Sequence, residues 1–369
     1  MPSFLRNPLR EELDPGPEPD PRPFHQKLPG YAPSPLREAP SIAERLAVGE
    51  VWVKDESSRL GLPAFKILGA SWATYRALVR RLGEEPEWET IEELAERVAP
   101  LRPLTLAAAT DGNHGRAVAR MARWLGLGAR ILVPAGTAQP RIDAIEGEGA
   151  EVEVVPGSYD DALRRAAELA SREVEVVADT AITGLEEAPR HASEGYATIL
   201  RELDEQLPGP PDLISVQIGS GALSAAVVRH YRPEGPRLLG VEAEGADCVR
   251  ASVLAGEIVS LPGAQTSIMA GLNCGTPSAT AWPLISRGID AFVVVPDERA
   301  REAMRLLTEA GIESGETGSS GLAGLLEALT GSEEAIDARY ALGVGRATRV
   351  LVLSTEGATD PEAYRSIVA

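Results

Sequence analysis

Short runs of apolar and β-branched residues alternate along the chain with longer stretches in which apolar residues recur three and four positions apart. The first pattern predicts buried strands, the second amphipathic helices packed on one face. Strands are expected near 51–54, 104–108, 130–133, 151–155, 174–178, 213–218, 238–241, 291–295 and 349–353, with helices between most of them. Regular alternation of this kind predicts an α/β fold with mostly parallel sheets, and nine strands suit two doubly wound domains better than one sheet. The pattern fails at the start, where eleven prolines fall in the first 40 residues. Proline removes backbone donors that a helix or central strand needs, so 1–40 is expected to be an extended arm over the body. The glutamate-rich stretch 82–100 around Trp88 is expected to be a solvated helix with its lead-in. No internal repeat is present.

The length, 369 residues, suffices for two domains with sizeable cores. Against 36 basic residues stand 55 acidic ones, a net charge of −19, which repels phosphate backbones and anionic lipid. The expected partner is a small molecule, with no nucleic acid and no membrane. No apolar run approaches the roughly 18 residues of a membrane span, and no apolar leader opens the chain, so a cytoplasmic location is expected. Cys248, Cys274 and the four histidines lack zinc-ligand spacing, so no metal is expected. Two free thiols are the first reading of the cysteines and a disulfide between them the second.

In parallel α/β sheets ligands bind beyond the carboxyl ends of strands. Three such loops carry candidate chemistry. After 104–108 comes Ala109-Thr110-Asp111-Gly112-Asn113-His114-Gly115-Arg116, which sets three polar side chains at a helix start where a cap needs one. After 213–218 comes Gly219-Ser220-Gly221-Ala222-Leu223, a glycine-rich turn whose amides suit a phosphate. A dinucleotide reading of that turn gives G-x-G-x-x-S, with Glu242 as the ribose acid, but lacks the third glycine. A nicotinamide-dependent dehydrogenase is therefore a distant alternative. After 349–353 comes Ser354-Thr355-Glu356-Gly357, a hydroxyl pair suited to a cap or a ligand contact.

Lysine occurs only at 27, 54 and 66 among the 36 basic residues, which invites a role that needs a removable proton. Lys54, beside Asp55 and Glu56, is expected to form a structural ion pair. Lys66 lies in Pro63-Ala64-Phe65-Lys66-Ile67-Leu68-Gly69-Ala70, apolar on both sides, so burial is expected to lower its pKa and make it a nucleophile toward an aldehyde. Together with a phosphate turn and a polar turn, it predicts pyridoxal phosphate held as a Schiff base.

In this order the motifs resemble the fold-type II pyridoxal-phosphate enzymes, the group of threonine dehydratase, cysteine synthase and the tryptophan synthase β chain. Phe24-His25, Leu28-Pro29-Gly30-Tyr31-Ala32-Pro33, Val53-Lys54-Asp55-Glu56-Ser57, Thr110 to Arg116, Met269-Ala270-Gly271-Leu272-Asn273-Cys274-Gly275 and Ser354-Thr355-Glu356-Gly357 narrow the resemblance to the diaminopropionate ammonia-lyases. It runs from about residue 24 to the C-terminus. It implies a lyase that eliminates ammonia from D- or L-2,3-diaminopropionate, or both, to give pyruvate and two ammonia. Lys66 would bind the cofactor, Asn113 would contact its ring hydroxyl, and Gly219, Ser220, Gly221, Ala222 and Leu223 would hold its phosphate. Ser354, with Thr355 as the alternative, would face the pyridine nitrogen as a neutral hydroxyl, which favours elimination over transamination. Asp111 and Asp179 fall where these lyases carry active-site acids, with Lys66 and Asp111 as bases on opposite faces of the substrate. Ser220 departs from a common glycine and Ala358 from a common aspartate. A threonine or serine ammonia-lyase is the alternative. The resemblance also implies a homodimer and an interrupted layout: 41–75 and 189–369 as the large cofactor-binding domain, 76–188 as a small inserted domain, and the cofactor between them.

Overall fold

The computed structural model describes residues 3–181, 184–232, 235–331 and 334–369. They form eleven strands: β1 (Phe4–Arg6), β2 (Leu36–Glu38), β3 (Glu50–Asp55), β4 (Thr105–Ala109), β5 (Gly128–Pro134), β6 (Glu151–Val155), β7 (Val174–Val176), β8 (Leu213–Gln217), β9 (Arg237–Ala243), β10 (Ala291–Val295) and β11 (Arg349–Ser354). The chain divides into two compact units. One comprises Met1–Glu18, Pro33–Ser58 and Ile199–Ala369; the other comprises Pro19–Ala32 and Arg59–Thr198.

The first unit is built on a seven-stranded sheet in the order β1-β10-β9-β8-β11-β3-β2. Its five inner strands are parallel, and all of β8 is buried, as expected where helices cover both faces. Short β1 and β2 pair antiparallel at the two edges. Both belong to the proline-rich arm, which is thus more regular than expected: edge strands tolerate missing donors. The arm also holds a short helix, Arg22–Gln26, with Pro23 in its first turn, where no amide is required. Lys54 is fully buried and its Nζ donates to Glu202 Oε2 at 2.7 Å, Gln206 Oε1 at 2.7 Å and Ser34 O at 2.8 Å. The ion pair expected of Lys54 exists, with a partner from a distant helix rather than from the adjacent acids.

The second unit holds four parallel strands in the order β6-β5-β4-β7. The helix Lys66–Leu82 lies wholly in this unit, whereas 41–75 was expected to belong with the large domain. It does so because it packs on the helices Glu187–Gly195 and Asn113–Leu125. Two glycines set that packing. A Cβ on Gly69 would lie 2.7 Å from Ala192 O, and one on Gly195 2.5 Å from Leu68 O. His25, also buried, donates Nε2–H to Leu68 O at 2.9 Å and accepts at Nδ1 from Thr198 Oγ1 at 2.7 Å, fixing the same turn. Trp88 corrects the solvated reading of 82–100: it is buried against the rings of Phe24 and Tyr75. The helix Ile91–Val98 likewise buries Ile91, Leu94 and Val98.

Gly69→Val is expected to force the two helices apart and cost about 1–3 kcal/mol, the usual scale of overpacking. Urea denaturation checks this, with Gly345→Ala, where nothing lies within 4 Å, expected to leave the midpoint unchanged.

Candidate active site

Lys66 is the first residue of its helix, and its Nζ donates to Asp179 Oδ2 at 2.7 Å. Asp179 follows β7 and is nearly buried, while Lys66 keeps about a fifth of its side chain accessible. The other carboxylate oxygen, Oδ1, accepts the Tyr159 hydroxyl at 2.9 Å, and that hydroxyl also lies 3.2 Å from Thr180 Oγ1. His114 is buried and donates Nε2–H to Val177 O at 2.7 Å, so Nδ1 faces Asp179 Oδ2, 3.9 Å away, with no hydrogen bond of its own. Tyr196 packs tilted against the Phe65 ring, centroids 4.6 Å apart, and its buried hydroxyl, beside Lys66, leaves bonding capacity open. Two polar atoms with open bonding capacity therefore sit in the surroundings of Lys66 and Asp179.

The lowered pKa expected for Lys66 is not what the structure gives. Burial disfavours the ammonium, but Asp179 outweighs it, with Asp111 adding to the effect, and the amine is held above the ordinary lysine range. Burial also disfavours the Asp179 carboxylate, yet Lys66 first and His114 next hold it well below the usual carboxylate range. The immediate neighbours of Lys66 are apolar; the acid that decides its charge lies 113 positions away.

In the turn after β4, Gly112 is the N-cap of the helix Asn113–Leu125 and has φ 150°, and as glycine it brings no capping side chain. The Gly112 amide is held by Thr110 Oγ1 at 2.9 Å. Gly115 must be small, since a Cβ there would meet Thr110 Cγ2 at 2.4 Å and Ile131 Cγ2 at 2.5 Å. Asp111 and Asn113 remain half-buried.

In the first unit, Gly221 has φ 105° and is the N-cap of the helix Ala222–Tyr231, again with no side-chain cap. A Cβ on Gly219 would fall 2.6 Å from Gly271 O. Such a turn presents backbone amides at the positive end of a helix, a seat for an anion. Because the seat is made of backbone, serine at 220 does not spoil it. Ser354, at the end of β11, is buried and donates to Ser314 Oγ at 2.8 Å. Thr355 Oγ1 accepts from Gln217 Nε2 at 2.9 Å, and the same amide donates to Leu353 O at 3.0 Å. Gln217, which joins the ends of the adjacent strands β8 and β11, was not singled out by sequence; nor were Tyr159 and Tyr196, since nothing in their local sequence sets them apart.

Glu242 is fully buried and accepts the Val249 and Arg250 amides, both at 2.8 Å. Burial pushes its carboxyl up to about 8, against the pull of those two amides. It anchors a helix and so is not a ribose acid, which removes the support for the dinucleotide reading. Cys248 is buried and Cys274 half-buried, and both are free thiols. Ala358 carries no acid, but its amide donates to Glu313 Oε1 at 3.2 Å. Among the described residues no group of His, Cys, Asp or Glu is placed to hold a metal ion, and no helix is long and apolar enough to cross a membrane.

In the second unit, a lysine with an acid partner and open polar atoms around it fits an aldehyde; in the first, a turn of backbone amides at a helix start fits a phosphate. Comparison agrees. The family model described as "Pyridoxal-phosphate dependent enzyme" matches residues 27–342. Diaminopropionate ammonia-lyase of Escherichia coli (strain K12) is 37% identical over 360 residues, covering 94% of this chain and 90% of its own length. The crystal structure of the Escherichia coli diaminopropionate ammonia-lyase in complex with D-serine superposes with a TM-score of 0.91 at 35% identity, covering 99% of this chain and 96% of that one. The same enzyme with an aminoacrylate-PLP azomethine reaction intermediate gives 0.88 at 34% identity, with the same coverage.

Asp179 is held below its unfolded range and Lys66 above it, so the pair stabilises the fold between about pH 4 and pH 10. The contribution is lost as pH falls through the folded value of Asp179 or rises through that of Lys66. Asp179→Asn is expected to cost about 1–3 kcal/mol at neutral pH, discounted for the partial exposure of Lys66. The difference from wild type should hold down to about pH 4 and narrow only below it, as read by urea denaturation from neutral pH into the acid range.

Proposed function

The chain belongs to the pyridoxal-phosphate-dependent enzymes and, within them, to the diaminopropionate ammonia-lyase family; from that premise we propose that it converts 2,3-diaminopropionate to pyruvate and two ammonia. The observation that carries the reading is the Lys66–Asp179 pair at 2.7 Å, in the same unit as the polar turn that holds Asp111 and Asn113. Pyridoxal phosphate, when bound, withdraws electrons from the Cα of an attached amino acid, so that the Cα proton and a group on Cβ can both leave. In this reading Lys66 holds the cofactor's aldehyde carbon and, once released to the substrate, takes a proton at Nζ on one face. Asp111 takes the proton on the other, which lets both enantiomers react. Asn113 contacts the ring hydroxyl, the amides of 219–223 hold the phosphate, and Ser354, or Thr355 in its place, faces the ring nitrogen.

Residues 76–188 are read as a domain inserted between 41–75 and 189–369, although the compact unit carrying Lys66 runs from Arg59 to Thr198. The substrate is a small amino acid, and the working form is a cytoplasmic homodimer, which sedimentation tests. A serine or threonine ammonia-lyase is the second reading, favoured by the missing acid at Ala358.

Pyruvate release from D- and L-diaminopropionate, with serine and threonine as comparators, decides between the two readings. Diaminopropionate is expected to be turned over fastest, and faster release from serine or threonine would favour the second reading. Lys66→Ala should lose turnover together with the borohydride-sensitive absorbance of the bound cofactor. Asp111→Asn preserves size while removing a basic oxygen, and should lose about 100- to 10,000-fold on the D isomer while largely keeping the L isomer. Equal losses on both would make Asp111 a binding residue.

A further inference from the structure

An ammonium has no lone pair, so Lys66 cannot attack an aldehyde until Nζ gives up a proton. In the structure that amine is held charged and largely shut off from water, so the proton needs an acceptor close by. The groups around the pair can be compared one by one. Asp111 reaches Lys66 through its field. Tyr196 is a buried phenol pushed up to about 12 by burial, a poor acceptor while it carries its own proton. His114 directs Nδ1 at Asp179 rather than at the amine. Thr180 and Tyr159 face the outer oxygen of Asp179. Among the described residues, the carboxylate at hydrogen-bond distance from the nitrogen is Asp179, its Oδ2 2.7 Å from Nζ, with the Tyr196 phenol as the further polar neighbour.

Resting on the functional reading above, we propose that Asp179 is the acid–base catalyst of cofactor attachment, and that Tyr159 is a positioning residue that sets its basicity. An N–H bond of the ammonium breaks and an O–H bond forms on Asp179 Oδ2. The freed lone pair of Nζ bonds to the aldehyde carbon, a second proton passes from nitrogen to the former carbonyl oxygen, and the carbon now bears a hydroxyl. Asp179 returns its proton to that hydroxyl, which leaves as water while the nitrogen lone pair closes a C=N bond. The nitrogen keeps one proton and one positive charge, and Asp179 ends as the carboxylate it began as. No proton is exchanged with solvent, and no oxidant or reductant is needed.

This closed cycle has a kinetic signature that a spectator carboxylate would not produce. If the proton moves only within the pair, the attachment rate is flat with pH wherever the pair carries no net charge. If the amine must instead lose its proton to solvent, the rate climbs about tenfold per pH unit below the amine's own pKa. Tyr159 adds a second signature. Its O–H stabilises the carboxylate at 2.9 Å and so opposes the transfer. A merely structural tyrosine would have the reverse effect when altered, slowing attachment by disordering the site.

The experiment strips the protein of cofactor, mixes it with excess pyridoxal phosphate in a stopped-flow instrument, and follows the C=N absorbance. Borohydride fixation and peptide mapping confirm the label on Lys66. Wild type should change less than about twofold between pH 7 and pH 9, whereas Asp179→Asn should rise about tenfold per unit over the same range until it levels off. Tyr159→Phe should stay flat and load about 10- to 100-fold faster, the worth of one hydrogen bond to a carboxylate. A wild-type rate that itself climbs tenfold per unit would overturn the proposal without reference to any variant. A slower Tyr159→Phe would overturn the part assigned to that residue. Failure of Lys66 to take any label would instead refute the functional reading, and this inference with it.

Discussion

The contact between Lys66 and Asp179 is the constraint around which the second unit makes chemical sense. An unpaired ammonium in that position would be costly, and so would an unpaired carboxylate. Together, at 2.7 Å, they coexist in a nearly dry site, and the remaining carboxylate oxygen is answered by Tyr159. The pair therefore keeps a potential nucleophile folded, buried and switched off. Breaking it to make a bond elsewhere leaves Asp179 in the company of Tyr159, Thr180 and His114, which is why those side chains belong to the site although they face the carboxylate and not the amine.

Holding that geometry falls to residues with no chemistry of their own. Gly69 and Gly195 let two helices approach until backbone meets backbone, and His25 pins the carbonyl of Leu68 from the other side. The first turn of the Lys66 helix is thereby fixed to within the tolerance of a van der Waals contact. A positioned amine is worth more than a mobile one, because the geometry is settled before the reaction rather than during it. The same logic explains why the proline-rich arm is ordered: residues 24 and 25 are part of the clamp, and a disordered arm could not supply it.

Much of this could be read along the chain. The nine expected strands are all present, since a buried parallel strand is written locally as a short apolar run. So are the two glycine turns, because positive φ and close packing leave few residues to choose from. What could not be read is what depends on long-range contact. Lys66 looked like an apolar-site lysine because Asp179 is 113 positions away. The stretch around Trp88 looked solvated because its glutamates are visible in sequence while the ring of Phe24 that covers Trp88 is not. The two edge strands were hidden by prolines, which exclude a central strand but not an edge. The extent of the compact unit carrying Lys66, Arg59 to Thr198, is likewise set by the packing of its helix, which no local pattern displays.

The two candidate turns share one further device. Each opens a helix with glycine at the N-cap, at Gly112 and Gly221, a residue with no side chain of its own to reach the first amides. Elsewhere the chain does cap its helices, as Ser158 does with a full capping box and Thr90 and Asp360 do singly. Glycine at an N-cap loses only about a few tenths of a kcal/mol against serine or aspartate, so the omission is nearly free in stability. A capping oxygen on the N-cap residue would, however, compete for the amides that an anion needs. Glycine at both N-caps removes that competitor and lets the backbone approach a bound group closely, which is the physical difference between a turn that only ends a strand and a turn built to bind.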